Sequence, residues 1–509
     1  MIHLPVLPVL VPMVAAILSL AAHRAGAAVL RGIGLISVAL LAVVSVLLLG
    51  AVADGTVAVV ALGDWPPPFG IVLVADRLSV TMVAVTTAVA LPALLAATDG
   101  TDLAGRHFHP FFQMQLAGLN GAFLTGDLFN LFVFFEVLLI ASYTLLAHGG
   151  GAARARAGLH YVALNLAASL IFLIGLALLY GTLGTLNLAD VAGRLAEVPE
   201  AEAAAVRAGL GLIAAVFAFK AALLPLGFWL PHAYSAAAAP AAALFAVLTK
   251  VGIYALLRLS TIALEGASAA EGLIGPWLMP AALGTVVVAT LGVLAAQSLG
   301  VMAAHLLLLS TGMLAAGVAV GGAPMLAAVL YYLPHTTLVS AGLFLLVGHL
   351  AVTRGEAGDR IRSGPRIPGA AWVGGAYLTL AIAVTGLPPL SGFLGKVMLL
   401  SAAPATPAGY AMWATFILSG FVGALALARA ASTLFWERSE PPGATGEAAP
   451  PRLGLALVLA LCFVPLLVLG AAPLSAYARA TAEQVTARRP YIEAVLPPGA
   501  LPVVRERRP

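Results

Sequence analysis

Five ionisable side chains stand in this sequence where ionisable side chains are costly. Glu136 sits in Leu131-Phe132-Val133-Phe134-Phe135-Glu136-Val137-Leu138-Leu139-Ile140, deeper in apolar sequence than any other acid. Of the 25 basic residues only Lys220, Lys250 and Lys396 are lysines, and all three lie inside apolar stretches. His335 follows a proline in Tyr331-Tyr332-Leu333-Pro334-His335-Thr336-Thr337. An ionised group at the centre of a bilayer costs about 2.5–3.5 kcal/mol on insertion scales, so such residues are retained for ion or proton pathways. Lysine suits that work and arginine does not, because a desolvated ammonium releases its proton near neutral pH while a guanidinium stays charged. Histidine titrates between the two and suits a relay. The natural partner of Glu136 is Lys220: a Glu–Lys pair in low dielectric stabilises both charges, and opening it moves both pKa values.

The competing structural readings are a protonated or salt-bridged glutamate, helix-end anchoring for the lysines and a hydrogen-bonded core histidine. Lys250 has apolar residues for many positions on both sides, which leaves anchoring little room. Arg77, Arg258 and Arg429 lie near span ends, where snorkelling accounts for them. His232, after Pro231, is a candidate exit, while His160, His305 and His349 read as structural or interfacial. His107 and His109 read as a turn, too few for a metal. Thr249 and Ser391 are placed to carry a hydroxyl or water link beside a lysine. Asp127 reads as an N-cap, and Trp229 and Trp413 as packing or interface residues.

The elements that must position these residues follow from composition. The chain has 509 residues, 62% hydrophobic and 9% charged. Soluble domains are about 45–50% apolar and about 25% charged, so this is an all-α polytopic membrane protein. About fourteen segments meet the roughly 20-residue spanning length, near 4–22, 29–51, 71–97, 109–125, 127–148, 158–182, 208–231, 240–263, 273–296, 300–321, 325–350, 370–400, 407–436 and 453–472. No basic n-region precedes the first run, so it reads as a retained span and not a signal peptide. Loops after odd-numbered spans carry arginines, among them Arg24, Arg31, Arg106, Arg154, Arg156, Arg354, Arg360, Arg362, Arg366, Arg438 and Arg452. Loops after even-numbered spans carry acids, including Asp54, Asp64, Asp190, Glu197, Glu265 and Glu271. The positive-inside rule then places both termini outside; the Arg-rich tail, 479–508, counts the other way. A net charge of +4 says nothing of nucleic acid, and none is expected as a partner.

The seventh and twelfth segments are interrupted, by Pro225 through Pro231 and by Gly386-Leu387-Pro388-Pro389-Leu390-Ser391-Gly392. Proline opens a helix by removing a backbone hydrogen bond, and in lipid such breaks survive only in protein or along a cavity. Paired breaks point to inverted repeats with a site near the midplane. The division expected is 1–105 (three spans), 106–264 (a first repeat, spans 4–8), 265–440 (a second, spans 9–13) and 441–509 (the last span and a polar tail). Cysteine clusters, phosphate loops and Ser–His–Asp sets are missing from the sequence, and no cofactor is expected. What remains is a lateral line, Glu136–Lys220–Lys250–His335–Lys396, along which water would fill the gaps.

Four stretches resemble the antiporter-like proton-translocating subunits shared by respiratory complex I and Mrp-type cation/proton antiporters. They are Phe134-Phe135-Glu136; Lys220 to Pro225 through Trp229-Leu230-Pro231-His232-Ala233-Tyr234-Ser235; Leu248-Thr249-Lys250-Val251-Gly252-Ile253-Tyr254; and Gly386 to Phe393. The likeness spans about residues 70–440. Leu145 to Gly150, Gly158 to Tyr161, Gly184 to Asp190, and Gly395-Lys396 are similar to the family of D-type subunits of the Mrp (Pha, Mnh) antiporters. The resemblance implies fourteen spans, two inverted five-helix repeats, a Glu136–Lys220 pair, central relay groups at Lys250 and His335, and a terminal Lys396. It implies exchange of Na⁺ (or K⁺ or Li⁺) for H⁺ in a bacterial inner membrane, together with other Mrp subunits, and no enzymatic role. The sequence departs from the family at Gly300-Val301, where relatives carry basic residues, and in Ser235 to Pro240, which lacks a proline or polar residue near 238. The competing reading is a proton-pumping membrane subunit of an NADH dehydrogenase or membrane-bound hydrogenase. The chain ends soon after its fourteenth span, without the lateral helix of the largest complex I paralogue.

Overall fold

A computed structural model describes residues 3–264, 270–436 and 446–497. Glu265, Arg438 and the end of the Arg-rich tail lie outside the described residues. Among the described residues, 12 helices are long and apolar enough to cross a membrane. The first six segments of the sequence become α1 (Leu7–Ala21), α2 (Ala27–Ala51), α3 (Arg77–Ala97), α4 (Phe108–Leu124), α5 (Leu128–Ala147) and α6 (Ala152–Leu183). A short amphipathic α7 (Leu188–Leu195) follows. The seventh segment splits into α8 (Glu200–Lys220) and α9 (Trp229–Ala236). The eighth splits into α10 (Ala239–Phe245) and α11 (Leu248–Arg258), and a π-helical turn, Leu259–Leu264, continues it. Then come α12 (Gly275–Ala295), α13 (Leu299–Val320) and α14 (Ala323–Thr353). The twelfth segment is α15 (Ala370–Thr385) and α16 (Ser391–Ser401), followed by α17 (Pro407–Phe435) and α18 (Pro451–Leu469). Two segments account for the gap between twelve and fourteen: α4 has only 17 residues, and the twelfth is halved by its break. The break before Lys250, at Ala246-Val247, has no proline or glycine to announce it.

Burial divides these helices. Ala239–Leu264, which carries Lys250, is wholly buried along its spanning window, whereas Pro451–Leu469 is 28% buried. Outward-facing leucine, isoleucine and valine side chains on α1, α2, α6 and α17 present an apolar surface to the bilayer or to partner subunits.

Alternate connections collect on two faces. On one, strands β1 (Ala58–Ala61) and β2 (Val72–Ala75) form an antiparallel hairpin pairing Ala58 with Ala75 and Ala61 with Val72. The N-terminal 3-10 turn Leu4–Val6 packs on this hairpin, so the N-terminus lies on the hairpin's face. The C-terminal residues join it there. The tail, expected to be a polar extension, is helical and packed as far as it is described: α19 (Ala471–Ala487) lies on α14, and α20 (Arg489–Val495) lies against α7 and β1. Ala478, Thr481, Ala482 and Val485 are buried there, at the helical spacing that gives α19 an inward face. Gln484 donates to Gly55 O at 2.7 Å and so ties the tail to the loop before β1.

The arginine-rich connections share the opposite face. Arg354 is buried and donates to the carbonyls of Gly358, Arg360 and Arg362, folding its own loop around one guanidinium. That loop docks on the start of α13, where Asp359 accepts from Gly300 N at 2.9 Å. An anion suits a helix N-terminus, and at Gly300 the neighbouring loop supplies one. A Cβ at Gly300 would come within 2.9 Å of that carboxylate.

Arg258 does not snorkel. It is buried and paired with Asp76 at 2.5 Å, with Tyr254 and Tyr491 rings 5.2 Å from its guanidinium. The partner comes from the start of α3 and one of the two rings, Tyr491, from the tail, both distant in sequence. Arg77, by contrast, reaches the carbonyls of Ala53 and Ala480 at its span's end.

Candidate functional site

The polar groups of the apolar interior come from helices α5, α6, α8, α11 and α13 to α16. Glu136 is half-buried on α5 and accepts a hydrogen bond from Ser169 Oγ on α6. Lys220, the last residue of α8, is buried, and its Nζ donates to Asn165 Oδ1 at 3.1 Å. Phe135 and Phe219 present their rings to the same ammonium at 5.6 and 5.8 Å. The direct Glu136–Lys220 ion pair is not among the ion pairs of the described residues. Each has a partner on α6 instead, and these two, Asn165 and Ser169, are one turn apart and so share a face. Tyr161, a turn earlier, shares a 3.0 Å hydrogen bond with Ser142 of α5. Sequence reading missed Asn165 and Ser169. The signal was there: two polar residues at i, i+4 spacing in an otherwise apolar span.

Lys250 is entirely buried on α11. Its Nζ meets Ser310 Oγ at 3.5 Å and Thr311 Oγ1 at 3.4 Å, both on α13 and both long. Thr249 Oγ1 accepts from Thr311 Oγ1 at 3.5 Å, so it stands one hydroxyl from the lysine. Ser310 Oγ in turn accepts from Thr336 Oγ1 of α14 at 2.7 Å. Between Lys220 and Lys250 the helices themselves touch. A Cβ on Gly252 would lie 2.4 Å from Ala221 N, so glycine is what lets α11 reach the end of α8.

His335 neighbours Thr336 and is buried against the stacked ring of Tyr332. Its Nδ1 lies 2.8 Å from Ser391 Oγ at the start of α16. Ser391 therefore serves the histidine, on the same half-helix as Lys396. Lys396 Nζ donates to Thr385 O at 2.6 Å and Val384 O at 3.3 Å, the carbonyls that end α15. A cation there complements both the unsatisfied carbonyls and the helix dipole. Gly386, at φ 80°, packs on the lysine's aliphatic stem.

Pro225, Pro388 and Pro389 lie in the two breaks. In the first, Leu224 N, freed from its helix, donates to Thr285 Oγ1 of α12 at 2.8 Å. His232 is exposed and, with His305, Gln297 and Thr285, lines a cavity of about 490 Å³ that runs to Leu224. His305 thus joins the site's surroundings; Gly292 makes room for its ring, since a Cβ there would stand 1.9 Å from Cδ2. His160 is exposed, and His349 is buried beside Trp372. Asp127 caps α5 through Asn130 N at 2.8 Å. Trp229 is buried between Tyr161 and Phe219, and Trp413 is exposed. No group of three metal-ligating side chains occurs among the described residues.

A membrane bundle with two broken helices and a buried row of lysines defines a class, and sequence comparison agrees: the family model "NADH:quinone oxidoreductase/Mrp antiporter, TM" matches residues 125–423, and the chain belongs to that family. The chain is 40% identical to the D-type subunit of a probable K⁺/H⁺ antiporter of Rhizobium meliloti, over 97% of both chains. It is 34% identical to the D-type subunit of the Na⁺/H⁺ antiporter of Alkalihalophilus pseudofirmus, over 97% of this chain and 99% of that one. A chain in the solved structure of the Mrp complex from Dietzia sp. superposes with a TM-score of 0.85 at 26% identity, over 97% and 99% of the two chains. Within the wider family, the chain belongs with the D-type antiporter subunits: a membrane transporter subunit, and not an enzyme, that assembles with other Mrp subunits.

Proposed function

We propose that this chain moves protons through the membrane-buried line Glu136–Lys220–Lys250–His335–Lys396 for exchange against Na⁺. The observation that carries the reading is the burial of Lys250 with hydroxyls as its hydrogen-bond partners. A buried ammonium without a counter-ion favours its neutral form, and hydroxyls both donate and accept, so they pass a proton without holding a charge. Ser310–Thr336 and Ser391 extend the line toward His335 and Lys396, while Asn165 and Ser169 join its start. Spans 4–8 and 9–13 act in this reading as two inverted repeats, one for each break, with the N-terminal three spans and the last span beside them. The arginine-rich face lies in the cytoplasm of a bacterial inner membrane, with both termini outside.

Potassium as the exchanged cation is a second reading, favoured by the 40%-identical relative named for K⁺/H⁺ exchange. The redox-complex reading has the family model's dual description behind it, but the relatives 34–40% identical over nearly the whole chain are named as antiporter subunits. The test is cation-induced collapse of ΔpH in everted vesicles containing the whole complex, with Na⁺ and K⁺ added separately. Glu136→Ala and Lys220→Ala are each expected to abolish the collapse, and full activity in both would sink the relay. Lys250→Arg is expected to be damaging because a guanidinium holds its proton; normal transport by that variant refutes proton release at Lys250.

A further inference from the structure

We propose that a pocket on the arginine-rich face, between the ends of α1, α2 and α4, binds a phosphoryl oxyanion. The pocket encloses about 480 Å³. Two helix N-termini line it. α2 starts after Gly26 and α4 after His107; neither has a side-chain cap, and neither carries an acid in its first turn. Their leading N–H groups are left for an acceptor, and both dipoles favour an anion between them. One further polar atom in the wall is buried without a partner among the described residues, the Ser19 Oγ. Ser19 is 0% exposed, so bulk water does not satisfy it. Arg106, His107 and His23 stand exposed at the rim, and Arg106 enters none of the ion pairs between described residues.

One carboxylate shares the wall, and it is already engaged. Asp102 accepts from Arg31 Nε at 2.7 Å and Nη2 at 2.9 Å, and His109 Nε2 lies 3.1 Å from it. Burial pushes the Asp102 carboxyl up, but these partners outweigh it and hold the group well below the usual carboxylate range. The carboxylate is thus neutralised by its own contacts, and the Ser19 hydroxyl and the leading N–H groups of α2 and α4 are the donors left over beside the pocket. Leu103 in its wall is an exposed apolar side chain, and Ile17, Leu18 and Leu20 are exposed on α1 in the turn that carries Ser19. A phosphodiester headgroup whose acyl chains run along α1 fits that border, and free phosphate has the same chemistry at the polar end.

The purified whole complex can be titrated calorimetrically with dioctanoyl phosphatidylglycerol, with sodium phosphate, and with dioctanoylglycerol, which lacks the phosphate. Arg106→Gln is expected to weaken the phosphate-bearing probe about five-fold, the worth of one basic side chain at an anionic headgroup. Arg106→Lys should restore binding to within about two-fold, because point charge suffices at a rim. Ser19→Ala should weaken it about ten-fold, as loss of a hydrogen bond to a charged group does. Sensitivity of the lipid alone identifies a headgroup site, and sensitivity of sodium phosphate identifies a free-phosphate site. Equal binding of dioctanoylglycerol, or binding of both phosphate-bearing probes unchanged by Arg106→Gln, overturns the proposal. Arg106→Gln should leave the antiport rate and the melting temperature of the unliganded complex unchanged, which separates loss of the site from loss of the fold.

Discussion

The two broken helices look alike in sequence and differ in how they hold their lysines. Each break has a residue in the left-handed region, Ala222 at φ 57° and Gly386 at φ 80°, with a proline three residues later, Pro225 and Pro389. Matching those positions puts His232 opposite Lys396 and Val384 opposite Lys220. The lysines are therefore on different sides of their breaks: Lys220 ends the first half-helix, and Lys396 lies within the second. Lys220 is held by a side chain, Asn165, and by two ring faces. Lys396 is held by main-chain carbonyls of α15. A charge solvated by side chains can be stranded by one substitution, whereas a charge solvated by a helix end cannot.

Among substitutions that leave the charged groups in place, the largest effect should come from Asn165→Leu, which keeps the branching and heavy-atom count and removes the acceptor of Lys220. A hydrogen bond to a charged group is worth about 1.5–3 kcal/mol, so antiport by everted vesicles should fall about ten-fold or more while the complex still assembles. Wild-type rates in that variant would break the contrast. Gly392→Ala should come next. Its Cβ would stand 2.0 Å from Ala383 O and 2.8 Å from His335 Nε2, and such overpacking costs about 1–3 kcal/mol, read as a lower melting temperature of the complex. Thr385→Ala should have the smallest effect. Thr385 contributes its carbonyl to Lys396, and its hydroxyl bonds back to Ala381 O, so transport should stay within about two-fold of wild type. A loss as large as that of Asn165→Leu would mean that Lys396 depends on the side chain after all.

Legibility in the sequence followed the cost of burial. Glu136, Lys220, Lys250 and Lys396 stood out because charge is rare in apolar sequence, and the spans because a bilayer demands length and hydrophobicity. Both proline-marked breaks were legible for the same kind of reason. The break at Ala246-Val247 was not, because nothing local in composition sets it. Neither were Ser310 and Thr336, and the i, i+4 spacing of Asn165 and Ser169 showed a polar face without its partners: serine, threonine and asparagine are ordinary in membrane helices, and their meaning depends on what faces them. Arg258 reads as snorkelling in the sequence because its partner, Asp76, lies 182 residues away.

By itself, then, the sequence determined that the chain is a helical membrane protein, where proline and glycine break its helices and which charges it carries into the interior. Those properties depend on each residue and its near neighbours against a uniform apolar solvent. Only the tertiary structure decided which groups meet: that Glu136 and Lys220 each have a partner on α6, that Lys250 lies among hydroxyls of α13, and that Lys396 rests on the end of α15. Hydrogen bonds act over about 3 Å. Helix packing sets distances that short, and spacing along the chain does not.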